Sequence, residues 1–398
     1  FAACGKTDGD KSSTGKAANV KVGFIFLHDE NSTYDKNFIT AAEEACKKAG
    51  VEILKKTNIS ETQACYDAAA ELVDEGCNVI FADSFGHEPY VIQAAKKFPE
   101  VQFLHATGTK AHTEGLSNYH NAFASIYEGR YLAGVAAGMK LNEMISSGKI
   151  TADKAKMGYV GAYTYAEVIS GYTSFYLGAK SVCPSVTMEV TFTGSWYDET
   201  AEKEAAQKLI NNGCVLISQH ADSMGAPTAC EAAGVPNVSY NGSTVSACPN
   251  TFIVSSRIDW APYLEYAIDC VKNGKAIDTD WTGTLSTGSV VLTDVNTKAA
   301  AEGTQAKIDE VKAELESGKL HVFDTSAFTV TVSDSKNKNA TVDADGHLTG
   351  YKADIDSDAD NTGDTEVVSD GYFHESEKRS APCFDVQIDG ITLLDTKF

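Results

Sequence analysis

The sequence predicts an α/β protein made of two similar lobes, each with a parallel sheet. Residues 68–80 read AAAELVDEGCNVI, and a closely similar segment, AAQKLINNGCVLI, occupies residues 205–217. In both copies apolar residues fall at helical spacing, a glycine suited to ending a helix follows, and a short apolar run then resembles a buried strand. The segment KVGF at 21–24 is echoed by KMGY at 156–159, so the similarity covers a whole series of strands and helices.

Apolar runs and helical periodicity define the elements of the first lobe in chain order. The predicted strands are 20–27, 51–54, 79–82 and 101–106, and the predicted helices are 36–49, 61–75 and 89–97. We expect lobe 1 to comprise residues 20–124 together with 257–322.

The second lobe is expected over residues 125–256. Its predicted helices are 126–144, 168–179 and 198–211, and its predicted strands are 157–160, 187–192, 215–218 and 238–240. Alanine and glycine in the first of these helices favour close packing. Strand 252–256 and helix 260–273 are expected to return to the first lobe, so that repeated crossings form a hinge of several strands.

The sequence changes character after about Val322. Short β-like runs flank an acidic stretch at 343–370, and residues 323–398 are expected to form a small β-rich extension with an acidic loop. Alternating aspartates in that loop have the spacing of calcium ligands: Asp354, Asp356, Asp358 and Asp360. However, Ala359 stands where an EF-hand loop needs glycine and Glu366 is one residue late, so a solvated loop is the preferred interpretation.

Composition limits the classes of partner. The chain has 398 residues, 43% of them hydrophobic, which is ordinary for a globular protein of two domains. It carries 33 basic and 55 acidic residues, for a formal net charge of −22. This charge repels phosphate backbones, so nucleic acid is not an expected partner.

The first residues, FAACG, resemble the end of a bacterial lipoprotein signal, in which small residues precede a cysteine that receives lipid. Cys4 is therefore the expected lipidation site. Residues 6–19 contain no large apolar side chain and predict a flexible tether, so that residues 1–19 would hold the protein outside the cell membrane. The alternative is an accidental cysteine near the start of the sequence.

Nine further cysteines do not form a C-x-x-C pair, and their number is odd. Several, including Cys65 and Cys77, occupy positions where a small apolar residue would pack. We therefore expect buried thiols rather than disulfides, zinc or a redox site.

Loops that follow the predicted strands combine aromatic rings with carboxylates and amides. Such loops line the ligand cleft of α/β proteins. The candidate binding residues are Tyr34, Asp35, Phe38, Ser84, Phe85, Tyr163, Trp196, Asp222 and Asn241. Aromatic faces stack on planar heterocycles, and Asp and Asn read hydrogen-bond donors and acceptors, so a flat, uncharged ligand is indicated. Each of these residues also has a purely structural interpretation, such as filling the core.

Catalytic and cofactor motifs are not evident. The sequence has no G-x-G-x-x-G, P-loop, G-x-S-x-G or H-E-x-x-H motif, and no cofactor is expected. Four histidines near predicted strand ends, His28, His87, His105 and His220, leave a metal site open as a minor alternative.

Several motifs along the chain suggest a known family. They are IFADSFG at 80–86, AAKKFPEVQF at 94–103, HATG at 105–108, YEGRYLAG at 127–134, EVI at 167–169, GAKSV at 178–182, WYD at 196–198 and QHADS at 219–223. Together they resemble the basic membrane protein (PnrA-like) family of bacterial ABC-transporter substrate-binding lipoproteins. The resemblance covers roughly residues 21–280.

This resemblance implies a type I periplasmic-binding-protein fold, with two Rossmann-like lobes joined by a multi-strand hinge, that delivers purine bases or nucleosides to a permease. It places stacking rings at Tyr34 or Phe38 and at Trp196. Members that hold a ribose use an aspartate where Asn241 stands and a lysine near Ser256 or Arg257. This departure argues against ribose binding, and the motifs SFG at 84–86, WYD at 196–198 and QHAD at 219–222 resemble the branch associated with adenine-type free bases.

We therefore expect a purine between Tyr34 or Phe85 and Trp196, with Asp222 and Asn241 reading its edge. The protein would act as a monomer that closes around the ligand and presents a new surface to an ABC permease. Two alternatives remain, a surface sensor that signals through a membrane protein and an exported nucleoside-processing enzyme.

Overall fold

The computed structural model describes residues 19–355 and 364–398 and shows, within them, two central β-sheets flanked by helices. The predicted α/β class with parallel sheets is confirmed. Cys4, residues 6–18 and Asp356, Asp358 and Asp360 lie outside the described residues, so the expectations of a lipid anchor and of a solvated acidic loop stay predictions.

The first sheet has the strand order β11-β5-β4-β3-β1-β2, and its pairs are parallel. Its strands are β1 (Lys21–Ile25), β2 (Glu52–Lys56), β3 (Val79–Ala82), β4 (Gln102–Ala106), β5 (Tyr119–Ala124) and β11 (Asp280–Gly283). Its helices are α1 (Thr33–Ala49), α2 (Gln63–Asp74), α3 (Glu88–Lys97), the short α4 (Ala111–Glu114) and α9 (Ala261–Lys272), which packs against α1.

The second sheet has the order β12-β10-β9-β8-β6-β7-β18 and is parallel except for β12. Its strands are β6 (Lys156–Gly161), β7 (Thr187–Phe192), β8 (Leu216–Gln219), β9 (Asn237–Tyr240), β10 (Phe252–Ile258), β12 (Val290–Leu292) and β18 (Ile391–Leu393). Its helices are α5 (Ile126–Ser146), α6 (Ala166–Val182), α7 (Glu199–Asn211), α8 (Gly225–Ala233) and α10 (Thr304–Glu316).

The internal repeat has a shared packing arrangement. Gly76 and Gly213 both have φ of 92°, which explains why the helix before each strand ends on glycine. A Cβ on Gly23 would lie 2.9 Å from Leu72 and 3.1 Å from the sulfur of Cys77. At the corresponding position in the second sheet, a Cβ on Gly158 would meet Ile217, Leu209 and Cys214 at 2.8 to 3.1 Å. In each lobe, glycine in the first strand thus lets the following strand–helix segment pack closely against it, α2 in the first lobe and α7 in the second.

The chain crosses between the sheets after β5, after β10 and between β11 and β12. Strand β10 pairs with β9 in the second sheet, so the expectation that strand 252–256 returns to the first lobe was wrong. Helix α9 and strand β11 do return to the first lobe. Residues 290–322 were expected in lobe 1, but β12 pairs with β10 and α10 packs on α5. That boundary was therefore wrong, because the crossing after β11 brings the chain back to the second sheet.

Cysteine burial matches the sequence-based expectation. All nine described cysteines are free and buried: Cys46, Cys65, Cys77, Cys183, Cys214, Cys230, Cys248, Cys270 and Cys383. Within the part of the chain that the structure describes, no helix is long and apolar enough to cross a membrane.

The C-terminal extension is β-rich but is not a separate unit. It contains β13 (Ala340–Val342), β14 (Leu348–Ala353), β15 (Thr365–Glu366), β16 (Val368–Ser369) and β17 (Tyr372–Phe373). Phe323 stacks on Phe384 with ring centroids 4.0 Å apart, and this contact belongs to the main core cluster. Strand β18 joins the second sheet as an edge strand beside β7.

Residues 375–380 of the extension lie across the hinge. Glu375 Oε1 accepts a hydrogen bond from Ser170 in the second lobe at 2.9 Å. The amide of Ser380 donates to Asp280 in the first lobe at 2.8 Å, and the hydroxyls of Ser376 and Ser125 are 2.7 Å apart at a crossing. The extension therefore bonds to both lobes and to the connection between them.

We predict that Glu375→Gln flattens part of the pH dependence of stability. Burial raises the pKa of Glu375 to about 8, and Gln keeps an acceptor for Ser170. A carboxyl group whose pKa is raised by folding contributes its full stabilisation below its unfolded-state pKa. That stabilisation is lost as the pH rises to the folded-state pKa, which for Glu375 means from about pH 4.5 to about 8. At pH 8 the free energy of unfolding of the variant, measured with urea, should be about 1–3 kcal/mol higher than that of the wild type. An unchanged slope between pH 5 and pH 8 would contradict this assignment.

Candidate functional site

A cavity lies between the lobes at the carboxyl ends of the central strands. Each wall is supplied by loops that leave a buried strand, so the parallel order of the sheets positions the site. The lining residues are Leu27, Tyr34, Asp35, Asp83, Ser84, Phe85 and Thr107 from the first lobe and Glu167, Trp196, His220, Asp222 and Asn241 from the second.

Most of the candidate binding residues meet in this cavity. Those that line it are Tyr34, Asp35, Ser84, Phe85, Trp196, Asp222 and Asn241. Phe38 does not, because one helical turn beyond Tyr34 its side chain enters the core, where its ring centroid lies 4.7 Å from those of both Phe81 and Trp260. The expectation that Phe38 offers a stacking face is therefore wrong.

Tyr163 stands behind the wall rather than in it. Its ring contacts Trp196 edge to face at 5.1 Å and stacks on Tyr165 at 5.1 Å. Tyr163 therefore supports the indole of Trp196 and is not itself part of the lining.

The two lobes touch around the mouth of the cavity. Phe85 of the first lobe packs on Tyr165 of the second at 4.8 Å, and His28 packs on Tyr197 at 5.3 Å. The amide of Thr33 donates to the carbonyl of Asp222 at 3.1 Å. These contacts describe a closed arrangement, and the rings of Tyr34, Phe85 and Trp196 reach the same space from opposite sheets.

Asn241 carries the clearest ligand-facing signal. Its side chain is 1% exposed, yet neither Oδ1 nor Nδ2 has a hydrogen-bond partner among the described residues. A buried amide without partners is costly, so both polar atoms are available to a molecule in the cavity. Asn241 also has φ of 67°, and Thr107 across the cavity has φ of 70°, so both are held in left-handed backbone conformations. Such strain is common at binding sites.

Four carboxyl groups converge on the cavity, from Asp35, Asp83, Glu167 and Asp222. Burial, and then the neighbouring charge of Asp35, raises the pKa of Asp83 well above its ordinary value. Burial and the same neighbour raise the pKa of Asp222, and burial raises that of Glu167 to about 8. Within the described lining no lysine or arginine balances these groups.

A buried arginine lies behind the second-lobe side of the cavity. Arg130 is fully buried and donates to the carbonyl of Ser239 at 3.0 Å and to the hydroxyl of Ser218 at 2.7 Å. Its guanidinium also lies over the ring of Tyr240 at 5.5 Å. Burial, and then the charge of Arg130, lowers the pKa of His220 to about 3, so the imidazole that faces the cavity is neutral.

A hydrogen-bonded network fixes the loop of Ser84. Its hydroxyl donates to Glu61 at 3.0 Å, and its carbonyl accepts from Nε2 of the buried His105 at 2.6 Å. Nδ1 of His105 faces the carboxylate of Glu88 at 3.7 Å, which also accepts from Tyr119 at 2.5 Å. The network explains two of the four histidine positions that suggested a metal, because His87 and His105 both bond to backbone carbonyls. Over the described residues, no group of three or more His, Cys, Asp or Glu could hold a metal ion.

Sequence reasoning did not select Leu27, Asp83, Thr107, Glu167 or His220 as lining residues, although the cavity contains all five. Asp83, Glu167 and His220 lie within the motifs at 80–86, 167–169 and 219–223. Their positions after predicted strands could have indicated that they line the cavity. Nothing in the pattern distinguishes Leu27 from other core residues.

Comparisons with known proteins agree with this geometry. Residues 23–320 match the family described as ABC transporter substrate-binding protein PnrA-like. The chain belongs to this family.

Two relatives of this PnrA-like protein cover most of its length. A purine-binding protein of Brucella abortus is 30% identical over 76% of this chain and 83% of its own. A protein of Haloferax volcanii named as a putative ABC-transporter glucose-binding protein is 27% identical over 81% of this chain and 78% of its own. A solved ABC-transporter solute-binding protein of Aeropyrum pernix K1 has the same fold, with a TM-score of 0.65 and 17% identity. The match covers 79% of this chain and 94% of that protein.

Membership settles the class of activity. PnrA-like proteins are substrate-binding components and not enzymes, and they bring small molecules to an ABC permease outside the cytoplasm. Solved solute-binding proteins, such as that of Aeropyrum pernix K1, share this fold, which confirms the expected type I periplasmic-binding-protein fold.

We predict that Asp83→Asn leaves the Tm unchanged or raised at pH 8, whereas Asp83→Ala lowers it. Asn supplies an oxygen for the amide of Leu27, which donates to Asp83 at 3.0 Å in the wild type, and it removes a buried carboxyl group whose ionisation is opposed by burial and by the charge of Asp35. Ala leaves the Leu27 amide without this partner, a loss of about 1–3 kcal/mol. Thermal unfolding of the two variants at pH 6 and pH 8 checks this, and a large loss with Asn would show that Asp83 is needed as a carboxylate.

Proposed function

We propose that this PnrA-like protein binds a purine base or nucleoside in the inter-lobe cavity and delivers it to its permease. The purine lies between Tyr34 or Phe85 on one side and Trp196 on the other, and Asp222 and Asn241 read its edge. The unpartnered amide of Asn241 carries the proposal, since it offers one donor and one acceptor beside aromatic faces.

The chemistry of the wall favours a planar ligand rich in hydrogen-bond donors. Aromatic stacking suits any flat heterocycle, and a carboxylate or amide oxygen accepts from ring or exocyclic N–H groups. No lysine or arginine is among the described lining residues, so a buried phosphate would lose its hydration without gaining a cation, and this disfavours phosphorylated ligands. The name of the Brucella abortus relative supports the same ligand class.

A free base such as adenine is the preferred ligand within this class. The resemblance places the ribose contacts of the family at an aspartate and a lysine, and this chain has Asn241 and Ser256 or Arg257 there. Asn241 cannot accept two ribose hydroxyls as a carboxylate can.

The family assignment supports an importer component over a surface sensor or a nucleoside-processing enzyme. We further propose that Cys4 carries lipid, that residues 5–19 tether the protein to the membrane, and that it works as a monomer. Glucose, suggested by the name of the Haloferax volcanii relative, is the competing ligand.

Mass spectrometry of small molecules released from purified protein, followed by calorimetric titration, tests the ligand. We expect a free purine, and saturable binding of adenine that is at least tenfold tighter than that of adenosine. Adenosine 5′-monophosphate should bind more weakly than either. Tighter binding of adenosine would remove the free-base assignment, whereas binding of glucose without any purine would overturn the proposal.

We predict that Trp196→Ala weakens purine binding by about 1–3 kcal/mol, or roughly 5- to 150-fold, because a stacking face is lost. Trp196→Phe should retain most of the affinity. Trp281→Phe is the matched control, since Trp281 packs on Tyr263 and Tyr266 in the first lobe, away from the cavity. Unchanged affinity in a folded Trp196→Ala protein would exclude this residue from the site.

A further inference from the structure

The last residues of the described chain form a contact with the ligand cleft that lies beyond the part matched by the family, which ends at residue 320. Strand β18 runs parallel to β7 at the edge of the second sheet, pairing Ile391 with Met188 and Leu393 with Val190. The amide of Leu394 continues the pairing with the carbonyl of Val190 at 2.9 Å. The chain therefore runs toward the carboxyl end of β7, where the cavity lies.

Asp395 fastens the chain at the end of that strand. Its Oδ2 accepts a hydrogen bond from the hydroxyl of Thr191 at 2.6 Å, and its Oδ1 accepts from the amide of Phe192 at 3.3 Å. Phe192 is the last residue of β7, and the loop that follows carries Trp196. Asp395 thus holds the root of this loop.

Phe398 reaches the loop itself. Its ring lies against Gly194, where a Cβ would be 2.5 Å from the nearest ring carbon, and Gly194 has φ of 75°. Only glycine accommodates both this backbone conformation and this approach. The carbonyl of Phe398 accepts from the amide of Thr164 at 3.3 Å, in the loop after β6.

The two loops that Phe398 touches form one unit of the cavity wall. Thr164 lies between Tyr163 and Tyr165, and both rings contact Trp196, at 5.1 and 5.9 Å. The carbonyl of Trp196 accepts from the amide of Asp222 at 2.9 Å, which extends the unit to the loop after β8. Contacts from the last residues thus reach a ring and a carboxyl group that face the ligand.

We propose that residues 395–398 are a positioning segment for the second-lobe wall of the ligand cavity, with Phe398 holding the loops of Tyr163 and Trp196 in register. None of its residues lines the cavity. It acts through Gly194 and Thr164, and it fixes the face on which a planar ligand stacks. The ligand part of this inference rests on the proposed function, whereas the ordering of the loops does not.

Protection of the sheet edge is the purely structural alternative. That role belongs to β18, whose backbone pairs with β7, and it does not require the ring of Phe398. The two roles therefore separate at Phe398, which is 38% exposed and lies outside the strand.

Hydrogen exchange in the absence of ligand tests the inference directly. In Phe398→Ala we expect faster amide exchange, about threefold or more, in residues 163–166 and 193–197, with the exchange of β7 and β8 unchanged. Thr392→Ala is the matched control, because Thr392 is an exposed residue of β18 and should alter neither loop.

Adenine titration of the same proteins adds the functional readout. We expect the Kd of Phe398→Ala to rise about threefold or more, with the Tm close to that of Thr392→Ala. Unchanged exchange in both loops would overturn the inference, as would faster exchange throughout the second sheet together with a lower Tm, which indicates edge protection. If adenine binds none of the proteins, the proposed ligand fails, but the exchange result still decides the role of Phe398.

Discussion

The parallel direction of the strands is the constraint on which the site depends. Strands that run the same way end at the same edge, and the crossings between the sheets turn the two edges toward each other. Loops separated by up to about two hundred residues, such as those of Tyr34 and Asn241, therefore share one small cavity. Loop residues can change without altering the sheets, so the arrangement separates ligand choice from folding.

The cavity places electrostatic demands on the protein that the core does not. Carboxyl groups lose hydration when the lobes close, and Asp83, Glu167 and Asp222 respond with raised pKa values. Arg130 introduces positive charge nearby without forming a described ion pair, because aromatic rings and neutral oxygens surround it. A donor-bearing ligand offers these carboxyls the partners that burial removes, which makes closure more favourable with the ligand than without it.

The sequence allowed the central architecture to be predicted because the repeat encodes it locally. Glycines at 76 and 213 and the matching strands follow from short-range patterns, and loops after such strands supplied most of the lining. Phe38 was assigned to the site wrongly because helical spacing does not show where along α1 the side chains stop facing the cavity and begin to face the core. The return of β12 and α10 to the second lobe, and the path of the extension, depend on long-range pairing that no periodicity records. The unpartnered state of Asn241 is likewise visible only in three dimensions.

Burial of nine free thiols also has a consequence for how this extracytoplasmic protein survives. A thiol reacts as its thiolate, and burial raises the pKa of Cys46 and Cys77 to about 11 and that of Cys214 to about 12. An unfolded chain exposes the same sulfurs at ordinary pKa, where oxidants couple them in non-native pairs. Unfolding in an oxidising medium is then a one-way process, so the time the chain spends folded determines its functional lifetime.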